Sequence, residues 1–466
     1  MRDAQLSEPG RILPLAGEYE VVVLGGGPAG LAAATSAARA GVRTVLVERY
    51  GFLGGMGTAG GVTNFAGLYA NVHGTVTQVV HGIADELLER IDRLGGLNVP
   101  QGIFGDRSRV RSYDVSAFKC AADDLALEAG VALRFHCWAA GAVMDGTRID
   151  ALIVETKSGR QAIRGRVFID CSGDGDLAAW AGAPWEKGGA SGELLYPTLM
   201  FRVGNVDPER ALAVIRDLGD LDRMMDEAER SGEYRFARRG AIVRPQKNPT
   251  EWRVNVTQLR NDDGHAVDAT DARQFSAAEV EGRRQVREYL RFLRERVPGF
   301  ESAGIVEIAP QIGVRETRRV VGHYQLTEDD VLECRSFGDA IGVNGWPLEI
   351  HVKGGVEWRW PRQARGYNHL PYRMLLPRRV DNLLVAGRCA SMTHEGQASA
   401  RVSGGCFVMG QAAGTAAALA CAADARPDRI DVKGLQRHLR AEGVWLGEPA
   451  EPPGTAGARS APMVAD

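Results

Sequence analysis

The first apolar run of the chain, YEVVVLGGG (19–27), is too continuous for a strand with one wet face, and it ends in glycines. A parallel strand buried on both faces has this pattern. The Ala-rich PAGLAAATSAARAG (28–41) then reads as a helix and VRTVLVER (42–49) as the next strand, a βαβ unit. Further on, 115–129 has helical spacing, while 131–138, 149–156 and 161–170 are short apolar or alternating segments suited to strands. From Asp381 the opening style returns, with a strand NLLVAG and an Ala-rich helix starting near Gln397. The two ends therefore read as halves of one discontinuous α/β domain, 19–184 and 376–446.

Between them the character changes. YPTLMFRVGNV (196–206) and EWRVNVTQLR (251–260) alternate like strands of a half-exposed sheet, and AEVEGRRQVREYLRFLRERV (278–297) is a long amphipathic helix. This predicts an inserted α+β domain over 185–375. Residues 1–18 form a polar arm and 447–466 a Pro/Gly/Ala-rich tail, both expected to be flexible.

Composition narrows the class of protein. The 56 Lys+Arg and 59 Asp+Glu nearly balance, which argues against a basic nucleic-acid binder. Glycine is in excess, 58 of 466 residues, and neither a collagen-like period nor a linker accounts for it, so tight turns and close backbone approaches are expected. The seven cysteines form no CxxC pair, and the N-terminus lacks a charged segment followed by an apolar one; a reducing, cytoplasmic location is the expectation. The uncharged run 406–423 reaches the length of a membrane span, but it is mostly Ala and Gly, and the expectation is a buried helix without membrane insertion. No metal site is expected, since His73 and His81 lack ligand spacing with cysteine or carboxylate.

Gly25, Gly27 and Gly30 make GxGxxG between the first strand and helix. In such a turn the first glycine permits the bend, the second admits a pyrophosphate, and the third lets helix and strand touch. The helix N-terminus supplies free N–H groups, and Glu48, at the end of the second strand, is placed to bind an adenosine ribose. The unit itself leaves NAD and FAD open. Three further stretches favour the longer cofactor: the small-residue loop GFLGGMGTAGG (51–61), the strand and Gly/Asp turn FIDCSGDGDLAAWAGA (168–183), and 382–414 with its Arg388. A plain surface loop is the alternative for the first.

With these residues the sequence resembles the FAD-dependent oxidoreductases of the glutathione-reductase-type, Rossmann-like FAD fold, and more narrowly the group named simply the FAD-dependent oxidoreductase family. The resemblance spans about 19–425. It rests on the SGDGD element, IGVRETRR (312–319), PLEIH (347–351), LPYR (370–373) and LLVAGR…GQAAG in this order. Many related flavoproteins have Gly-Asp where this chain has Gly387-Arg388; the narrower group often has Arg there too. The resemblance implies that Gly25, Gly27, Ala29, Gly30, Glu48 and Arg49 hold the ADP half. It puts Gly54, Gly55 and Met56 along the ribityl or flavin, backbone near Trp138 and Ala139 at the adenine, and Gly173 and Asp174 at the border of the site. Gly387, Arg388 and a helix start at Gln397, Ala398 and Ser399 would face the flavin's pyrimidine end, where reduced flavin carries negative charge.

Candidate catalytic residues lie in segments returning from the insertion. Arg315 and Arg318 sit three apart in a strand-like run, so one of them at most points at a substrate; Arg315 would clamp a carboxylate or phosphate, although a salt bridge to Glu316 or a domain-surface role explains it equally well. His351, Tyr372 and Arg373 follow. An imidazole there would take a proton from a substrate O–H or N–H; a structural hydrogen bond is the alternative for His351, and more so for His394. The expected function is oxidation of a small organic molecule by hydride transfer to flavin N5, with re-oxidation by oxygen or another acceptor, because no second GxGxxG follows residue 60. An NAD(P)H-using monooxygenase, a nicotinamide-only dehydrogenase and a non-enzymatic flavin scaffold are the alternatives. Assembly into a homo-oligomer is left open.

Overall fold

The computed structural model describes residues 8, 10–216 and 219–448. Strand β1 (Leu15–Leu24) is buried over Val21–Leu24, helix α1 (Pro28–Arg39) starts on Pro28, and strand β2 (Thr44–Val47) is buried throughout. β1 pairs in parallel with β2, Leu24 opposite Val47, and on its other side with strand Gly159–Asp170, Leu24 opposite Asp170. Ala132–Arg134 extends the sheet beyond β2, and Leu383–Val385 joins the far side of Gly159–Asp170, Val385 opposite Asp170. The carboxyl ends of these strands emerge along one edge, where open α/β sheets bind ligands. The antiparallel strands Trp138–Asp145 and Arg148–Thr156 complete seven.

Several boundaries differ from those read in sequence. β1 begins at Leu15, so the end of the expected arm is strand; residues 1–7, 9 and 449–466 lie outside the described residues. The single segment 131–138 is two strands, because His136 takes a left-handed φ of 51° and turns the chain. The Ala-rich helix is also two, His394–Ala400 and Ser403–Ala422, broken at Arg401–Val402.

The helix Ser403–Ala422 lies directly on α1. A methyl at Gly410 would overlap the Ala29 carbonyl oxygen, and one at Gly414 that of Ala33, so two glycines one turn apart bring the backbones together. Although it is long and apolar enough to cross a membrane, this helix is almost wholly buried in the protein core.

A second core, drawn from Leu199 to Val314, surrounds a four-stranded antiparallel sheet in the order Ile242–Pro245, Trp252–Asn255, Phe201–Gly204, Gly304–Ile308. Helix Ala272–Arg296 covers it with Val286, Tyr289, Phe292 and Leu293, and Gly282 makes room for Leu199. The rest of the expected insertion joins the first core instead: Val320, Leu332, Val343, Leu348 and Leu370 pack with the parallel sheet and its helices. Its strands form only isolated pairs, Ala340–Asn344 with Asn368–Pro371 and Leu348–Ile350 with Glu357–Arg359. Such pairs do not bury an apolar face by themselves. Gly342 seats one of them against Val408 of the long helix.

Candidate active site

The three glycines after β1 are not equivalent. Gly25 has a φ of 96° and sits against the Cys171 carbonyl; a methyl at Gly30 would overlap the Gly25 carbonyl oxygen. These two shape the turn. At Gly27 the nearest atom to an added Cβ is Gly55 Cα at 3.7 Å, so that position opens on space. No side chain caps the α1 N-terminus, which leaves its N–H groups free for an anion. Glu48, buried at the end of β2, accepts from Gly26 N at 2.6 Å and Tyr50 N at 2.9 Å; burial raises its pKa despite these bonds. The 51–61 loop is tied to the same turn, Gly54 N donating to Gly26 O at 2.8 Å.

The SGDGD turn forms the opposite lip. Asp170, fully buried, accepts from Ser172 N at 3.0 Å and Ala178 N at 2.9 Å and so fixes the strand-to-helix bend. Asp174 is bound by Arg388 Nη2 at 2.9 Å and Thr317 Oγ1 at 2.8 Å. Burial works against its charge, but Arg388 and Arg49 outweigh it and hold the pKa below the usual carboxylate range. Gly173 leaves space for the Arg388 guanidinium, whose Nη1 is buried without a partner.

A cavity of about 590 Å³ runs from these turns to the second sheet. Gly25–Ala29, Gly55–Gly57, Gly173 and Arg388 line one part, and Arg253, Arg315, Arg401, Glu349, Trp346 and Trp358 another. Val402 and Ser403 also reach it, at the start of a helix that no side chain caps. Glu349 accepts from His351 Nε2 at 2.9 Å and Trp346 Nε1 at 3.1 Å. Burial works against its charge, but His351, Arg401 and Arg315 hold its pKa at about 2. Burial, followed by the charge of Arg315, pushes the His351 pKa well down.

Several expected site residues stand elsewhere. Tyr372 is buried with its hydroxyl donating to Pro427 O at 2.8 Å, and Arg373 pairs with Asp339 at 3.5 Å and lies over the Tyr324 ring; neither lines the cavity. His351 sits behind Glu349, which takes its place at the cavity wall. His394 is held 2.9 Å from Glu316, away from the lining. Arg315 faces the cavity, whereas Arg318 turns to Asp176 at 2.8 Å; the run there is irregular chain rather than the expected strand. Gln397, Ala398 and Ser399 are interior: Gln397 Nε2 donates to Arg388 O at 3.1 Å, and Ser399 Oγ lies between Asn344 and Trp346. The helix start that opens on the cavity is Val402–Ser403, missed because no proline marks the break after Ala400 and the cap position is taken by Val402, with Ser403 already inside the helix. Trp138 is 56% exposed with Arg49 over its ring at 5.6 Å, and neither it nor Ala139 lines the cavity. Arg253, Arg401, Trp346 and Trp358 were also missed: of the four only Arg401 lies in a quoted stretch, 382–414, and only the fold brings them together.

The residues present fit FAD. An open cradle at Gly27, two uncapped helix starts on one cavity, and a buried guanidinium with a free nitrogen suit a long anionic cofactor. Solved structures similar to the chain include a p-nitrophenol 4-monooxygenase from Pseudomonas putida, at 13% identity and a TM-score of 0.44, with 93% of this chain and 90% of that one covered. A geranylgeranyl bacteriochlorophyll reductase-like protein from Thermoplasma acidophilum matches at 13% identity and a TM-score of 0.43, covering 91% and 84%. An anhydrotetracycline hydroxylase from Streptomyces rimosus matches at 16% identity and a TM-score of 0.40, covering 92% and 69%. No curated protein matches the sequence. The family model for FAD dependent oxidoreductases matches residues 20–439, nearly all of the described chain, and the protein belongs to that FAD-dependent enzyme family.

Proposed function

We propose that this enzyme oxidises a small organic molecule held between the Gly-rich turns and the second sheet, passing its electrons through FAD to oxygen or another acceptor. The observation that carries this reading is the continuity of the cavity, which joins the Gly25–Ala29 turn to the Glu349, Arg315 and Arg253 wall. The bound flavin supplies a two-electron acceptor at N5. Gly25, Gly27, Ala29 and the α1 N-terminus would hold the pyrophosphate, Glu48 the ribose, and Arg388 with Val402 and Ser403 the pyrimidine edge. Met56 and Gly55 border the same space.

Glu349 is the ionised acceptor at the wall, and it would take a hydrogen bond from a substrate O–H or N–H. With its pKa near 2 it orients the substrate better than it removes a proton. His351, donating to Glu349 from behind, is a positioning residue. A location in the cytoplasm suits its thiols: Cys120 is exposed, and the six other cysteines are buried and free.

Anaerobic mixing of the holoenzyme with NADPH tests the reading. Flavin that stays oxidised with NADPH alone, yet bleaches with an organic substrate, supports it; rapid bleaching by NADPH alone overturns it in favour of a monooxygenase.

A further inference from the structure

The second sheet carries a row of arginines on one face, and two of them, Arg253 and Arg244, line the cavity. Arg253 is directly opposite Arg202 on one neighbouring antiparallel strand and Arg244 on the other. Directly opposed residues share a face, and like charges there destabilise a sheet. Arg202 is neutralised by Glu251 at 3.0 Å and Glu307 at 2.9 Å. Arg253 is not: among the described residues no carboxylate pairs with it. Its Nη1 bonds only the neutral Val62 carbonyl and Asn64 side chain, and its Nε is buried without a partner.

Arg315 repeats the pattern. It is buried, and its Nη1 donates to Tyr196 O at 2.9 Å and Thr198 Oγ1 at 2.7 Å, again neutral acceptors. Arg238, behind it, bonds Thr198 and Asn255. Arg401 Nη2 donates to the neutral Glu349 carbonyl at 3.3 Å and lies 4.0 Å from its carboxylate, and its Nε is also unpaired. One carboxylate, Glu349, therefore faces Arg253, Arg315 and Arg401. Buried guanidiniums without counter-ions are costly, and the missing negative charge must come from what binds there. The indoles of Trp346 and Trp358, 6.1 Å apart and T-shaped, give the same space an apolar wall.

We infer that the substrate is a carboxylate on an aromatic or otherwise flat apolar body, its carboxylate bound by Arg253 and Arg315 and its ring set against Trp346 and Trp358. This rests on the proposed function in taking the cavity as the substrate's site. A guanidinium matches a carboxylate with paired, charge-assisted hydrogen bonds. The Gly-rich turn already provides for the cofactor's phosphates, and Arg253 comes from the other core.

The test is binding by calorimetry, on the FAD-loaded enzyme at fixed ionic strength, of benzoate, phenylacetate and phthalate and of their uncharged amides. The carboxylates are expected to bind about tenfold or more tightly than the amides. Arg253→Met should abolish that preference with FAD content unchanged, and Arg253→Lys should restore part of it. Four results overturn the inference: no binding by any probe, equal binding of acids and amides, a preference that survives in both Arg253→Met and Arg315→Met, or a loss of FAD with the preference kept. Because the readout is binding and needs no turnover, it is independent of how NADPH behaves with the flavin.

Discussion

The Asp174 carboxylate lies 2.9 Å from Arg388 Nη2, joining the turn after the central strand to the turn after the C-terminal strand. Both are strongly buried, and the charges of Arg388 and Arg49 favour the ionised Asp174 against its burial, so the pair spends one guanidinium nitrogen on the protein and leaves Nη1 for a ligand. Arg388→Ala leaves the buried Asp174 carboxylate held by Thr317 without its guanidinium, and removes a donor from the cavity wall. FAD affinity should fall by about tenfold or more, read as flavin lost on ultrafiltration. Retention at the native level would contradict this role.

Gly27 and Gly30 should fail differently. Gly27→Val places its side chain in open space beside Gly55, so the chain should fold, with a native circular dichroism spectrum, and come out colourless. Gly30→Ala puts a methyl into the Gly25 carbonyl and should cost stability outright, about 1–3 kcal/mol or more. A yellow Gly27→Val protein would refute the cofactor placement.

The contact of Ser403–Ala422 with α1 predicts that Gly410→Ala or Gly414→Ala lowers the melting temperature by several degrees, since each methyl meets a carbonyl oxygen that helix geometry fixes. An Ala at Gly443, where an added Cβ meets nothing, serves as a control for a glycine with φ of 82°, because it tests backbone strain alone.

His369 predicts acid sensitivity. Its Nδ1 accepts from Phe337 N at 3.2 Å, which needs a neutral ring, and burial, followed by the charge of Arg365, pushes its pKa down to about 4. The unfolded chain binds the proton near pH 6.5, so stability falls as pH drops below that value and levels off near 4. His369→Asn, which keeps an acceptor but does not titrate, should lose less of its melting temperature between pH 7 and 5 than the parent does. Equal losses would remove His369 from the account.

Glu349→Gln should weaken the bond to His351 and relax the ionised wall. Flavin reduction by a substrate should slow while FAD stays bound, and His351→Gln should have the smaller effect. The reverse order would return the catalytic role to His351.

The βαβ unit and the glycine turn are legible in the chain alone because they depend on short-range demands, and the two chain ends are legible as one domain through the pattern that returns after Asp381. An uninterrupted apolar run forces a doubly buried strand, and GxGxxG with Glu48 is set by the local geometry of one turn. The same holds for the Ala/Gly helix, whose small residues announce a close backbone contact without naming α1 as the partner. Long-range packing alone sends Tyr372 and Arg373 away from the cavity, brings Glu349 rather than His351 to it, and makes Val402–Ser403 rather than Gln397–Ser399 the helix start facing it. It also decided the arginine row. Arg253 lies beside Arg202 and Arg244 only through antiparallel register, and it meets Arg315 only through the fold; buried without a carboxylate partner among the described residues, Arg253 and Arg315 become a demand for an anion.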